Sequence, residues 1–458
     1  MIGNVICAQG QVIVWLLMMF LAYAYMIAVR LHFTYSMMVM MKSPLVAAPH
    51  NDHCPGVEIN VGINSTIDEK RMDWSLEEQS ITMSAYFIGM LFTVFPGGVY
   101  ANRGYEREIM GLCMFVSAVS VIFCPIAAVQ LHSWIAVFVL RFFVGCAFGP
   151  VAPCGGTIAG KIIPKSSRAL FSTFMFSGTI FGAFSGHLFS GLIIPNTSHS
   201  WSFFILGTFA ILWSLIWMVM FCKMPYKVLE DASNHSLSVF STPWKTALQS
   251  EAYISLLIAS LGFGNLYSFI TTGLPIYTAR VLGGDAVKNG VNVCQPWLMC
   301  WITSIAVGLL SMELIVANRL RKNTVRKLYA GVVLVVCPLM VLSIRLSNCH
   351  SSQTKIFIWM AIILLAFERN SIRINSLDLC PKFAGSLIAL SDVFFSVGNV
   401  LDLFVARNIH VKDFDWNFVF YIATFFPIVC SVPFLLFGTA AQQTHWELVR
   451  YRRSSVST

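Results

Sequence analysis

The chain has 458 residues, 57% of them hydrophobic and only 11% charged, with a formal net charge of +9. Average soluble domains carry roughly 25% charged residues, so a water-soluble globule is excluded. Apolar blocks of about 20 residues recur along the whole length, enough helix to cross ~30 Å of hydrocarbon. Backbone groups facing lipid must bond within their own segment, which leaves helices as the spanning element.

In chain order, twelve spans are expected, centred on residues 12–36, 80–101, 108–129, 134–158, 170–194, 201–222, 251–273, 292–317, 327–346, 355–378, 383–406 and 416–438. The first run stays apolar as far as Met41, longer than one crossing needs, so its register is open. A polar stretch at 223–250 divides the spans six and six. The expected organisation is an N-terminal six-helix bundle (1–222), a cytoplasmic linker (223–250), a C-terminal six-helix bundle (251–438) and a cytoplasmic tail (439–458). No cleavable leader is read at the start, where the apolar run is too long and lacks a basic flank. Most of the thirteen cysteines, Cys113, Cys146, Cys300 and Cys430 among them, fall inside spans as small hydrophobes, so no disulfide framework is implied.

Lysines and arginines gather in alternate loops: Arg103, Arg107, Lys223, Lys245, "NRLRKN" (318–323), Arg326, Lys382 and "RYRR" (450–453). The opposite loops are poor in them and hold the acidic 42–79 segment. The positive-inside rule then places both termini in the cytoplasm. The positive surplus sits where topology wants it and gives no reason to invoke nucleic acid. The terminal "RYRR" reads as a topology determinant, with contact to anionic lipid as the alternative. The N-x-S/T sequons at Asn64 and Asn196 face outside in this arrangement, whereas the one at Asn234 is cytoplasmic.

Several motifs fall in a fixed order. Trp74 precedes "SAYFIGMLFTVFPGG" (84–98). Arg141, Gly145, Gly149 and Pro153 stand four apart in span four, as do Gly178, Gly182 and Gly186 in span five. "LPIY" (274–277), "NG" (289–290) with Pro296, "NSLDLCPKFAG" (375–385) and "WNFVFYIA" (416–423) follow. Small residues four apart line one helix face and let backbones approach closely. The order resembles the anion:cation symporter branch of the major facilitator superfamily, which includes sialin, the vesicular glutamate transporters and the type I sodium/phosphate cotransporters. That resemblance covers most of residues 28–438. It implies an all-α membrane fold of twelve transmembrane helices in two six-helix bundles, with a ligand site between the halves.

The charges inside the spans carry the functional reading. A mid-membrane arginine costs about 2.5–3.5 kcal/mol on insertion scales, so Arg141 should face a wet cavity or a partner. Its planar fork suits a carboxylate or phosphate. The resemblance implies that Arg141 helps bind the anionic substrate; the alternative is a structural pair with an acid of the opposite half. Arg30 matches the family's span-one arginine. It reaches the outer surface if the span ends near residue 32 and joins Arg141 if the span extends to Met40. Asn375, Asp378 and Pro381 correspond to the family's N-x-x-D-x-x-P.

Departures from the family are specific. Phe148 stands where proton-coupled vesicular members have a glutamate, and Met83 and Phe263 replace a histidine and an arginine of the glutamate transporters. Arg103 lies in a degenerate gating loop, "GVYANRGYER" (98–107), with Asn102 near its usual acid. Glu313 and Asn318 replace glycine and aspartate in the second-half counterpart. Span ten gains Glu368, Arg369 and Arg373; the two arginines, one turn apart, share a face, while Glu368 points about 100° from Arg369. Asp392 replaces an asparagine in span eleven and has two readings, a proton carrier standing in for the missing glutamate or a bridge to Arg141 or Arg373. His187 in span five reads as a hydrogen-bonded core residue, with lining the transport path as the alternative. His50, His53 and Cys54 are a weak metal pattern without a fourth ligand.

The expected function is secondary active or facilitative transport of phosphate, sialate, urate or similar carboxylates by alternating access. A receptor or scaffold that keeps the fold is the alternative. H-E-x-x-H, G-x-S-x-G and phosphate-binding-loop patterns are absent, so neither an enzyme nor an ATPase is expected. No cofactor or metal is expected beyond a coupling proton or sodium ion. The partners are the small anion and membrane lipid, the chain is taken as a monomer, and its membrane is the plasma membrane or a vesicular or lysosomal one. Glycosidase treatment should raise the gel mobility of wild type, Asn64→Gln and Asn196→Gln each removing one step and Asn234→Gln none.

Overall fold

A computed structural model describes residues 2–41, 72–162, 168–197, 199–223, 242–280, 289–347, 351–407, 416–443 and 446. Asn64, Asn234, the His50, His53 and Cys54 group, most of the 223–250 linker and most of the tail lie outside these residues. The long helix Ile2–Met40 is span one, followed by Leu76–Tyr100 and Glu106–Val129. Span four is Trp134–Phe148, continued past Gly149 and Pro150 by Val151–Ile162. Arg168–Asn196 and His199–Lys223 complete the first half.

The second half opens with Glu251–Ser268, which runs through a widened turn at Phe269–Gly273 into Leu274–Arg280. Asn289–Val316 is span eight, and Lys322–Gly331 through Cys337–Leu346 is span nine. Span ten is Ser351–Leu364, a 3₁₀ segment Leu365–Asn370, and Ile372–Leu379. Ala384–Arg407 and Trp416–Phe437 close the fold. Among the described residues, ten uninterrupted stretches are long and apolar enough to cross a membrane. They differ from the twelve spans for two reasons. Spans two and three run together as Glu77–Val129 through the turn at 101–105, and span ten is broken at Ser371 and carries Glu368, Arg369 and Arg373 around that break.

Local chemistry sets the helix starts. Ser75 and Glu78 form a reciprocal capping box at span two, and the Ser133 hydroxyl accepts from Ala136 N–H at 3.2 Å at span four. Between spans two and three the backbone reverses at Gly104, whose φ of 103° suits glycine.

Packing follows the small-residue faces. A side chain at Gly145 would strike the Tyr86 carbonyl, and one at Gly149 would strike Thr93 and the Met90 carbonyl, so spans two and four touch backbone to backbone. Gly178 and Gly182 likewise press on the Phe20 and Ala24 carbonyls, and Gly186 on Ala28, joining spans five and one. In the second half Gly264 meets the Phe395 carbonyl and Gly398 the Leu261 carbonyl, joining spans seven and eleven. The two halves meet along spans two and eleven, four and eleven, and five and eight.

Beyond span twelve the chain folds back on the bundle. Gln443 N–H donates to the Leu379 carbonyl at 2.8 Å, and Trp446 is buried with its ring edge-on to Tyr253 of span seven. Substitution Gly182→Ala should lower the thermal unfolding midpoint of the purified protein, at an overpacking cost of about 1–3 kcal/mol. Gly331→Ala, whose nearest neighbour would be Leu435 at 3.9 Å, should leave it unchanged.

Candidate functional site

Spans one, two, four and seven bring two arginines together. The span-one helix is continuous through Met40, and Arg30 is buried within it, 6% exposed. Its guanidinium lies 4.5 Å from the ring centre of Phe87 and 5.6 Å from that of Tyr267, and it donates to Thr271 Oγ1 at 3.1 Å. Thr271 and Tyr267 belong to span seven, so Arg30 ties the two halves.

Arg141 is 4% exposed, with its guanidinium 4.0 Å over Phe33 and 5.4 Å from Tyr86. Its Nε has no hydrogen-bond partner, and among the described residues no carboxylate comes within 4.0 Å of it. The expected alternative, a pair with an acid of the opposite half, is therefore not formed among the described residues. The two guanidiniums are within electrostatic reach of each other, with Tyr86 between their fields. Desolvated cation–π contacts supply about 2 kcal/mol each, whereas burying an ion takes several. The aromatic faces offset only part of that cost.

A second group of charges lies across spans seven, ten and eleven. Glu368 Oε2 is 3.1 Å from Arg369 Nε, Glu368 Oε1 is 4.0 Å from Arg373 Nε, and Arg373 donates to Asp392 through a very short contact. Glu368, Arg369 and Asp392 are fully buried and Arg373 nearly so. The expectation that Glu368 points away from Arg369 is corrected: their charged atoms meet at 3.1 Å, the two long side chains bending toward one another in a 3₁₀ segment that breaks at Ser371 (φ −120°, ψ −92°). The bridge from Asp392 runs to Arg373 of the same half, so it does not join the halves. These groups border a small cavity of about 10 Å³, room for about one water, between Ser260 and Phe263 of span seven, Glu368 and Arg373 of span ten, and Asp392 and Phe395 of span eleven. Tyr267 separates it from Arg30, its ring 5.7 Å from Phe263 and 5.8 Å from Phe395.

Asp378 and Arg103 lie apart from both groups. Asp378 pairs with Lys322 at 2.6 Å and with Arg326 at 3.0 Å. Arg326 also donates to the Asn370 carbonyl at 2.5 Å, an acceptor that the span-ten break leaves accessible. The Asn370 side chain reaches the other half, accepting from Thr173 Oγ1 at 2.8 Å. Arg103 stacks on Tyr100 at 5.3 Å. Beside it, Asn102 donates to Ser386 of span eleven through another very short contact and accepts from Thr157 at 3.2 Å. His187 is buried, hydrogen-bonded to Tyr35 at 2.8 Å and stacked on Trp297. Phe148 is fully buried against Tyr25 and Tyr86.

Sequence reasoning counted Arg326 among surface topology charges and missed its role. The missed signal was periodicity: Val325, Arg326, Tyr329 and Ala330 share one buried stripe of their helix. Asp378→Asn should strand the buried Arg326 and destabilise the protein by about 3 kcal/mol, read as a lowered unfolding midpoint. Lys322→Ala, which removes the exposed partner, should cost under about 1 kcal/mol.

The major facilitator superfamily profile matches residues 10–375. Human sialin is 23% identical over 408 residues, covering 86% of this chain and 82% of sialin. Mouse sodium-dependent phosphate transport protein 1 is 25% identical, covering 92% of this chain and 94% of that one. Vesicular glutamate transporter 2.1 of Danio rerio is 24% identical, covering 81% and 68%. Among solved structures, a proton:xylose symporter bound to 6-bromo-6-deoxy-D-glucose superposes with a TM-score of 0.63 at 10% identity, covering 94% of this chain and 99% of that one. That likeness speaks for the fold alone. With four-fifths of its length matched by the family profile and its helices arranged as in that symporter, the chain belongs to the major facilitator superfamily, as a divergent relative of the anion:cation symporter branch.

Proposed function

We propose that the chain is a secondary transporter of small anions, working by alternating access between its two halves. The observation that carries this reading is Arg141: a buried guanidinium without a carboxylate partner, beside a second arginine that contacts the opposite half. Two positive charges facing aromatic walls form a site that an anion completes, because its charge supplies what the rings leave unmet. In this proposal Arg141 and Arg30 bind the anion. Cross-half contacts such as Asn102 to Ser386 and Asn370 to Thr173 part and re-form as the halves rock. The relatives support the class, since mouse sodium-dependent phosphate transport protein 1 carries a phosphate transporter's name.

In this proposal both termini are cytoplasmic, residues 1–222 and 251–438 form the two moving bodies joined by the 223–250 linker, and the membrane is the plasma membrane or a vesicular or lysosomal one. Phe148 favours a second reading. A sealed aromatic contact occupies the position of the family's proton-coupling acid, which suits a receptor that binds the anion without moving it.

Uptake of radiolabelled phosphate, sialate, urate and glutamate into proteoliposomes, with and without proton or sodium gradients, separates the two. At least one anion should accumulate, and Arg141→Gln should cut its uptake about 10- to 100-fold, the worth of a charged hydrogen bond. Arg141→Lys, which keeps charge but loses the fork, should fall between them. Saturable binding without accumulation supports the receptor; neither binding nor uptake of any of the four overturns the anion site.

A further inference from the structure

We infer that Asp392 is a proton-binding site that links proton uptake to anion binding through Arg373. This inference rests on the anion-transport reading above for its purpose but not for its geometry. Glu368, Asp392, Arg369 and Arg373 form one buried group whose formal charges sum to zero. Asp392 offers one carboxylate oxygen to Arg373, while its other oxygen, Oδ2, is buried without a hydrogen-bond partner, in a side chain that borders the cavity. An unpartnered carboxylate oxygen in a dry site is costly, and a proton can add to it without displacing any hydrogen bond that oxygen makes.

Neutralising an acid that holds a buried arginine ordinarily strands the cation. Here it does not, because Glu368 Oε1 already stands 4.0 Å from Arg373 Nε. No hydrogen bond joins that pair, but Glu368 leaves a second negative charge beside the guanidinium when Asp392 is neutralised. Among the described residues, the charged and titratable groups acting on Asp392 are Arg373, Glu368 and Arg369 of span ten, Tyr253 of span seven and Tyr23 of span one.

The balance is simple. A proton adds to Asp392 Oδ2, the ionic hydrogen bond from Arg373 to Oδ1 is released, and the group changes from zero to +1. That positive charge, separated from Arg30 by the Tyr267 ring, strengthens the field that draws an anion to Arg30 and Arg141. Proton and anion then favour one another reciprocally. Phe148 cannot carry a proton, and this group supplies that capacity in the opposite half.

Infrared difference titration of the purified protein tests the site without any ligand. Acidification should raise a protonated-carboxyl band that is absent in Asp392→Asn, kept in Asp392→Glu and moved to lower pH in Glu368→Gln, where Asp392 is the carboxylate left to hold Arg373. Survival of the band in Asp392→Asn, or its absence from wild type, overturns the assignment. A folded Asp392→Glu that keeps the band guards against reading misfolding of Asp392→Asn as proof. Coupling is read with radiolabelled sialate, a carboxylate ionised across the pH range used. Binding to wild type should tighten about tenfold per pH unit lowered, the linkage for one proton, and the slope should vanish in Asp392→Asn. An unchanged slope in that variant overturns the coupling. No sialate binding at any pH, with the band present, overturns the coupling for this carboxylate and leaves the proton site supported.

Discussion

A guanidinium cannot be neutralised by losing its proton, so every arginine taken out of water must be met by something, and the interior of this protein is arranged around how each is met. Arg326 has a carboxylate and a backbone carbonyl, and Arg369 and Arg373 share carboxylates. Arg30 reaches a threonine hydroxyl and two aromatic faces, and Arg141 rests on Phe33 and Tyr86. Charge is balanced in the second half and left in surplus in the first. That asymmetry draws an anion toward one side of the interface, while the balanced group stands on the other.

The glycine faces make this arrangement possible at short range. Because spans two and four touch through backbone, Tyr86 and Phe87 of span two are carried close to Arg141 and Arg30. The close seating of span five on span one does the same for the Tyr35 to His187 contact. Among the described residues, hydrogen bonds between the halves are mostly neutral, as in Asn102 to Ser386, Thr173 to Asn370 and Trp301 to Ser177, with Arg30 to Thr271 the charged one. Neutral contacts of this kind are each worth only about 1 kcal/mol, which suits surfaces that must separate and rejoin.

Much of this was legible in the sequence, because long apolar runs and small residues four apart are direct statements about lipid and helix contact. The twelve spans, the Arg141 ladder and the unusual charges of spans ten and eleven all come from such patterns. The break in span ten did not, since "LAFERN" (365–370) contains neither proline nor glycine, and it is the tertiary bonds that Asn370 accepts from Arg326 and Thr173 and donates to the Ser304 carbonyl that reveal it. For the same reason the Glu368 to Arg369 contact was read with α-helical geometry. Partner choice was equally hidden: Asn102 looked like a weakened acid of a gating loop, yet its amide donates and accepts at once, which an aspartate could not do.

The return of the chain after span twelve has a mechanical corollary. Trp446 is seated against span seven, and Gln443 is fastened to the last carbonyl of span ten, only a few residues beyond Phe437. Three helices that are remote in sequence thus share one tether at a single end of the bundle. A shift of span seven against span ten must either carry this tether along or unseat its indole, so the final stretch of polypeptide acts as a strain gauge on the second half.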